Sequence, residues 1–140
     1  MTESNDNTRV KRWVIKIGSA LISNNGLDLA EESLDLWIPQ ICDLLDRGDK
    51  VVLVSSGAVS EGIKRLGWLQ RPKDVHQLQA AAAVGQAGLV EAYESRFNKR
   101  NVLTAQILLV RADLASRDRY LNARHTLGAV SYTHLTLPTS

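Results

Sequence analysis

Lys16 stands alone in an apolar run, Val14-Ile15-Lys16-Ile17, that ends on Gly18-Ser19. A single ammonium at the end of a buried strand, followed by small residues that bare their backbone amides, can hold an oxyanion, most directly a phosphate. Lys16 would offset the phosphate charge while the amides of Gly18 and Ser19 donate to its oxygens, which is the positioning and charge stabilisation that phosphoryl transfer needs. The alternative is a strand-end lysine whose ammonium simply reaches solvent.

A second break of the same kind ends the run Val51-Val52-Leu53-Val54-Ser55 on Ser56-Gly57-Ala58. These amides and the Ser56 hydroxyl are suited to gripping a carboxylate, or else form an ordinary strand-to-helix turn with serine as the cap. A nucleophilic serine is disfavoured, because Val54 and Ser55 precede Ser56 where a G-x-S-x-G elbow would place a glycine first. Neither G-x-x-x-x-G-K-[ST] nor a G-x-G-x-x-G after the first strand occurs, which removes most support for P-loop and dinucleotide-binding readings. His76, His125 and His134 lack metal-ligand spacing, so no metal site is expected from the protein itself. Asp113, Asp118, Arg117, Arg119 and Arg124 read as solvated charge on or near one helix, or as residues at the mouth of a site.

The elements that must position these breaks follow from periodicity. Trp13 to Ile17 fits a first buried strand. Asp28, with Glu31 three residues on, resembles a capping box before a helix carrying Leu34, Ile38, Ile41, Leu44 and Leu45 on one stripe. Pro39 predicts a kink or break in that helix and Gly48 its stop. Lys50 to Ser55 is a second strand, and its nearly unbroken apolar character suits a parallel strand covered on both faces. A short helix from about Val59 to Leu66 and a long one from about Val75 to Asn98 follow, separated by a turn at Gly67 to Pro72. Ala80 to Ala83, Gly85 and Gly88 leave the long helix with a surface that another helix or a second subunit can approach closely. Val102 to Val110 predicts a third strand, and Asp113 a cap on a helix carrying Tyr120, Leu121, Ala123 and Leu127. The resulting order, β, α, β, α, α, β, α, means an α/β fold with a mostly parallel sheet. In such sheets ligands collect beyond the carboxyl ends of the strands, where both breaks fall.

The 140 residues suit one compact domain, and Cys42, the lone cysteine, excludes an internal disulfide and a cysteine-based zinc site. A cytoplasmic setting is expected. Lysine and arginine outnumber aspartate and glutamate by only 17 to 15 and are dispersed, which argues against nucleic acid as the main partner. No apolar stretch approaches membrane-spanning length, since Gln86 and Glu91 interrupt the alanine-rich segment. The polar opening, residues 1–12, reads as a disordered start, and the hydroxyl-rich residues 131–140 as an aberrant or foreign tail around one domain spanning 13–130.

With these residues placed, the chain resembles the amino acid kinase family, and within it the glutamate kinases. The matching pieces are Val14 to Ser19, Val54 to Val59, Leu66-Gly67, Ala82-Ala83-Val84-Gly85-Gln86, and Arg119-Tyr120-Leu121-Asn122-Ala123-Arg124, in family order from about Val10 to Leu127. The resemblance implies the N-terminal, glutamate-side part of an amino acid kinase three-layer sandwich. It implies ATP-dependent phosphorylation of the glutamate side-chain carboxylate, the first step of proline biosynthesis, with substrate-associated Mg2+. By that carry-over Lys16, Gly18 and Ser19 face the transferred phosphate, with Lys16 catalytic, while Ser56, Gly57 and Ala58 hold glutamate. It also implies proline as a feedback inhibitor and a homo-oligomer for a full-length member, whose further lobe supplies most of the ATP site; the 140 residues alone are then expected to be inactive. Two other readings remain: another amino acid kinase, acting on acetylglutamate, aspartate, a carbamate or a nucleotide monophosphate, and a non-catalytic module that binds glutamate or proline.

Overall fold

The structure, a computed structural model, describes residues 9–23, 30–109 and 111–131. Its first unit is a crossover. Strand β1 (Arg12–Ile17) leads through the short helix α1 (Ser19–Ile22) and the helix α2 (Glu31–Asp46) to strand β2 (Lys50–Ser55). The strands pair in parallel, with Trp13 opposite Val51, Ile15 opposite Leu53 and Ile17 opposite Ser55. Parallel pairing of neighbouring strands requires such a crossover, since a tight turn cannot reverse the chain twice.

The ends of α2 follow from local chemistry. At its C-terminus Gly48 adopts φ +86°, its amide donates to the Leu45 carbonyl, and the Asp49 amide donates to Leu44. This Schellman arrangement needs a left-handed residue, which glycine supplies at little cost. Asp49 then ties down the start of β1: its carboxylate accepts from the Lys11 amide at 3.0 Å and from the Trp13 indole at 2.9 Å. The strand accordingly begins at Arg12, one residue earlier than its apolar run.

Pro39 lies inside α2, which runs on through it without a break. A proline supplies no amide to the carbonyl four residues back, here that of Asp35, and one residue on the Gln40 side chain donates to the Leu36 carbonyl at 3.0 Å. The residue before the helix is Ala30, without a side-chain cap; the expected cap, Asp28, lies outside the described residues.

Helix α3 (Ala58–Arg65) follows β2 directly, and α4 (Val75–Asn98) packs across it. Asp74 caps α4 by accepting from the Gln77 amide at 3.0 Å. The small residues of α4 serve this contact: a Cβ on Gly85 would run into the Ala58 carbonyl, and one on Gly62 into the Ala81 carbonyl. The neighbour that the small-residue surface admits is thus α3 of the same chain. Arg96 fastens α4 to α2 through Asp35 at 2.6 Å and Glu31 at 3.2 Å.

The core lies on one face of the strand pair, where Ile17, Val51 and Leu53 meet Leu34, Ile38 and Ile41 of α2 and Leu89, Tyr93 and Phe97 of α4. The alternate residues face the other way. Val14 is 72% exposed and Lys16 is also exposed, so β1 is not the buried strand its composition predicts. It has one strand neighbour, β2, and among the described residues nothing pairs its outer edge.

The third strand expected over Val102 to Val110 does not form among the described residues 102–109, and the sheet has two strands. The segment runs past β2 instead, with Thr104, Ala105 and Gln106 lining a small cavity of about 60 Å³ together with Leu53, Val90 and Tyr93. A strand exists only where a ladder partner takes up its amides and carbonyls. Beyond it, α5 (Arg111–Ala115) and α6 (Arg117–Ser131) replace the single expected helix, and Asp113 sits inside α5 rather than capping a helix. The expected tail over residues 131–140 falls outside the described residues from 132 onward, as do residues 1–8 of the expected disordered start. No helix among the described residues is long and apolar enough to cross a membrane.

Candidate active site

The strand register brings the two glycine breaks together. Lys16 is opposite Val54 and Ile17 opposite Ser55, and the Ser56 amide continues the ladder by donating to the Ile17 carbonyl at 3.2 Å. Gly18-Ser19 and Ser56-Gly57-Ala58 therefore leave the sheet side by side, at the carboxyl ends of adjacent parallel strands. That is where ligands bind in open α/β sheets, because loops diverge there and helix starts present unpaired amides.

The two turns are built differently. Gly57 has φ +135°, a conformation that L side chains rarely adopt, and its carbonyl accepts from the Glu61 amide at 3.0 Å as α3 begins. Glycine is required here by the backbone alone. Ser56 is half-buried, and Ala58 is buried against Gly85. Gly18, by contrast, has φ −75° and ψ 158°, which any residue adopts, and a Cβ built on it would meet nothing within 4 Å. Neither conformation nor packing among the described residues explains a glycine at position 18. The open space before it suits a group that approaches the backbone more closely than a side chain would allow. Ser19, the first residue of α1, is exposed, and its carbonyl accepts from the Ser23 hydroxyl at 2.6 Å. Lys16 projects on the exposed face of β1.

Beneath the second turn, the Ser55 and Tyr93 hydroxyls are 2.6 Å apart in the core. Burial pushes the Tyr93 phenol up to about 12, although the bond to Ser55 pulls the other way. This clamp fixes the end of β2 against α4, and with it the start of the Ser56 turn. Helix α4 runs against the direction of β2, since Gly85 meets Ala58 after the strand, Tyr93 meets Ser55 at its end, and Glu94 shares a cavity with Leu53 inside it. Its N-terminal half consequently extends past the strand end, packed against α3.

A larger cleft of about 760 Å³ runs along β1 and α2, lined by Ile15, Lys16, Trp37, Ile41, Leu44 and Arg47 among others. It follows the unpaired edge of the sheet rather than the loop crevice, and nothing in the structure shows what covers it. Among the described residues no group of three or more histidines, cysteines, aspartates or glutamates is placed to hold a metal.

Comparison with known proteins decides the family. The model of the amino acid kinase family matches residues 11–131. The chain belongs to the amino acid kinase family. The partial sheet, with its parallel strands and flanking helices, is consistent with part of an amino acid kinase fold. Among curated proteins, the chain is 60% identical to the glutamate 5-kinase of Saccharophagus degradans over 84% of its own length and 31% of that protein. It is 56% identical to the glutamate 5-kinase of Cupriavidus metallidurans over 85% of its length and 32% of that protein, and 51% identical to that of Hydrogenovibrio crunogenus over 91% and 34%. It thus spans about a third of the length of these amino acid kinases.

Sequence reasoning picked out both turns of this amino acid kinase segment but missed the groups behind them. Gln86 stood out only as the last residue of the matched Ala82-Ala83-Val84-Gly85-Gln86 piece, with no role of its own, and Ser55 and Tyr93 as unremarkable members of a strand and a helix. Burial, which the sequence does not print, is what sets all three apart.

Proposed function

We propose that this chain is the acceptor-side portion of a glutamate 5-kinase, which transfers the γ-phosphoryl group of ATP to the side-chain carboxylate of L-glutamate. The observation that carries the reading is the side-by-side exit of Lys16-Ile17-Gly18-Ser19 and Ser56-Gly57-Ala58 from paired parallel strands. Two oxyanion-binding turns at neighbouring strand ends are what in-line transfer between a phosphate and a carboxylate needs. The names of the similar proteins supply the acceptor.

In this reading the Ser56 hydroxyl and the amides of Gly57 and Ala58 orient glutamate so that a side-chain carboxylate oxygen attacks the γ-phosphorus. The new carboxylate oxygen-to-phosphorus bond forms as the bond to the β-phosphate oxygen breaks, giving an acyl phosphate and ADP. Lys16 contacts the phosphoryl group in flight and offsets its charge, and the amides of Gly18 and Ser19 line the same region. No covalent enzyme intermediate is involved. The magnesium belonging to this reading accompanies the phosphates of ATP. Proline as a feedback inhibitor, a homo-oligomeric assembly and a cytoplasmic location belong to the same proposal, as does inactivity of these 140 residues on their own.

The test is a chimera in which this chain replaces the matched segment of the Saccharophagus degradans glutamate 5-kinase. Glutamate-dependent release of ADP, with trapping of the acyl phosphate as a hydroxamate, is expected. A soluble, folded chimera that prefers aspartate, acetylglutamate or a nucleotide monophosphate would overturn the glutamate assignment.

A further inference from the structure

Among the described residues, buried side-chain polar atoms without a hydrogen bond occur on two residues. Glu61 has an unpaired Oε2, but its Oε1 holds Arg65 at 2.9 Å, so its charge is answered. Gln86 has neither amide atom paired: Nε2, a donor, and Oε1, an acceptor, are both buried and both unsatisfied. Buried polar groups left without partners are uncommon, because each forfeits its bonds to water.

The position of Gln86 in α4 explains where a partner would come from. Residues 82, 86, 89, 90 and 93 lie on one stripe of the helix by their spacing. Ala82 and Leu89 pack with the core, Val90 lines the cavity beside Leu53, and Tyr93 meets Ser55 at the end of β2. Gln86 lies two turns before Tyr93, about 10 Å further along the helix axis and past the end of the strand. Its neighbour Gly85 is pressed against the first residue of α3, Ala58. By this spacing Gln86 falls beyond the end of β2, one residue after the glycine that meets Ala58 at the Ser56-Gly57-Ala58 turn.

We propose that Gln86 binds the α-amino acid head of the acceptor, with Nε2 donating to the α-carboxylate and Oε1 accepting from the α-ammonium. A donor and an acceptor on one rigid amide complement a zwitterion, whose anion and cation are similarly close. The acceptor's side chain then extends over the Ser56 turn toward Lys16. This inference rests on the acceptor-site reading above, and it adds the group that distinguishes an amino acid from a simple dicarboxylate.

Thermal melts of the 140-residue chain, with and without millimolar L-glutamate or glutarate, test it through Gln86→Met, which keeps the volume and removes the polar atoms. A ligand that binds the folded state raises the melting midpoint. The unchanged chain is expected to respond to glutamate, and less to glutarate, which has no ammonium. Q86M is expected to melt higher than the unchanged chain without ligand and to bind glutamate about tenfold more weakly or worse. The opposite signs matter, since a purely structural glutamine would lower the midpoint when lost. A Q86M chain that melts lower without ligand, or keeps the full glutamate response, overturns the assignment of Gln86 alone. Failure of the unchanged chain to respond to glutamate overturns the acceptor reading and this inference with it. Should Q86M not fold, Gln86→Asn withdraws the amide by one methylene, and an undiminished glutamate response in Q86N overturns the assignment.

Discussion

Ser55 Oγ lies 2.6 Å from Tyr93 Oη, joining the last residue of β2, immediately before the Ser56 turn, to the C-terminal third of α4. Removing the phenol oxygen with Tyr93→Phe deletes this bond and leaves the buried Ser55 hydroxyl with a weaker contact to the Ser56 carbonyl at 3.3 Å. A loss of about 1 kcal/mol is expected in chemical denaturation. A double-mutant cycle with Ser55→Ala should return a coupling of comparable size, because the two side chains share one bond. Additive effects would show that the hydroxyls do not interact.

The same phenol gives the chain an alkaline signature. Its pKa is raised from 10.0 to about 12 in the folded state, so the folded form holds the proton more tightly than the unfolded form. Its contribution is fully present below pH 10 and is lost as pH rises toward 12. Stability measured against pH should fall across that window, and the difference between the unchanged chain and Tyr93→Phe should shrink there. A difference independent of pH would contradict the burial of the phenol.

Asp49 predicts the acid counterpart. Its hydrogen bonds from the Trp13 indole and then the Lys11 amide hold the carboxyl below its usual value of 3.8. The stabilisation is therefore present above pH 3.8 and is lost as pH falls through the lower folded value. Asp49→Asn should flatten this part of the acid limb, and Asp49→Ala should loosen the start of β1 and shift the fluorescence of Trp13. Superimposable acid titrations of D49N and the unchanged chain would contradict the assignment.

Two glycines with opposite surroundings separate packing from ligand access. Gly62→Ala improves helix propensity by about 1 kcal/mol, yet its Cβ would meet the Ala81 carbonyl, a backbone atom that cannot swing aside. Overpacking should win, with a net destabilisation of about 1–3 kcal/mol. Gly18→Ala meets nothing within 4 Å at a φ of −75° and should be neutral or stabilising by up to about 1 kcal/mol. In the chimeric enzyme the same substitution should impair phosphoryl transfer, because the added methyl occupies the approach to the backbone. Unchanged transfer by G18A would remove Gly18 from the site.

What the sequence discloses here is what local chemistry decides. Gly48 and Gly67 end their helices in left-handed conformations, and the two apolar runs form strands because each finds the other as its partner. Val102 to Val110 carries the same β-rich signal as β2 without becoming a strand over its described part, since strand formation depends on a distant partner that composition does not reveal. Pro39 does not break α2: tertiary packing of Leu34, Ile38 and Ile41 holds the helix continuous through it. At the site, Lys16, Gly18 and Gly57 were conspicuous because their types are unusual for their elements. Gln86 and Tyr93 are ordinary residues made consequential by burial.

The most direct measurement compares Lys16→Ala with Lys16 in the chimeric enzyme by hydroxamate trapping, alongside the melting midpoint of the 140-residue chain carrying the same substitution. Lys16 is exposed and forms no ion pair among the described residues, so the midpoint should not move. Loss of its charge from the transferred phosphoryl group should cut kcat by about 10²-fold or more. Full acyl-phosphate formation by the K16A chimera would contradict the placement of phosphoryl transfer at the end of β1.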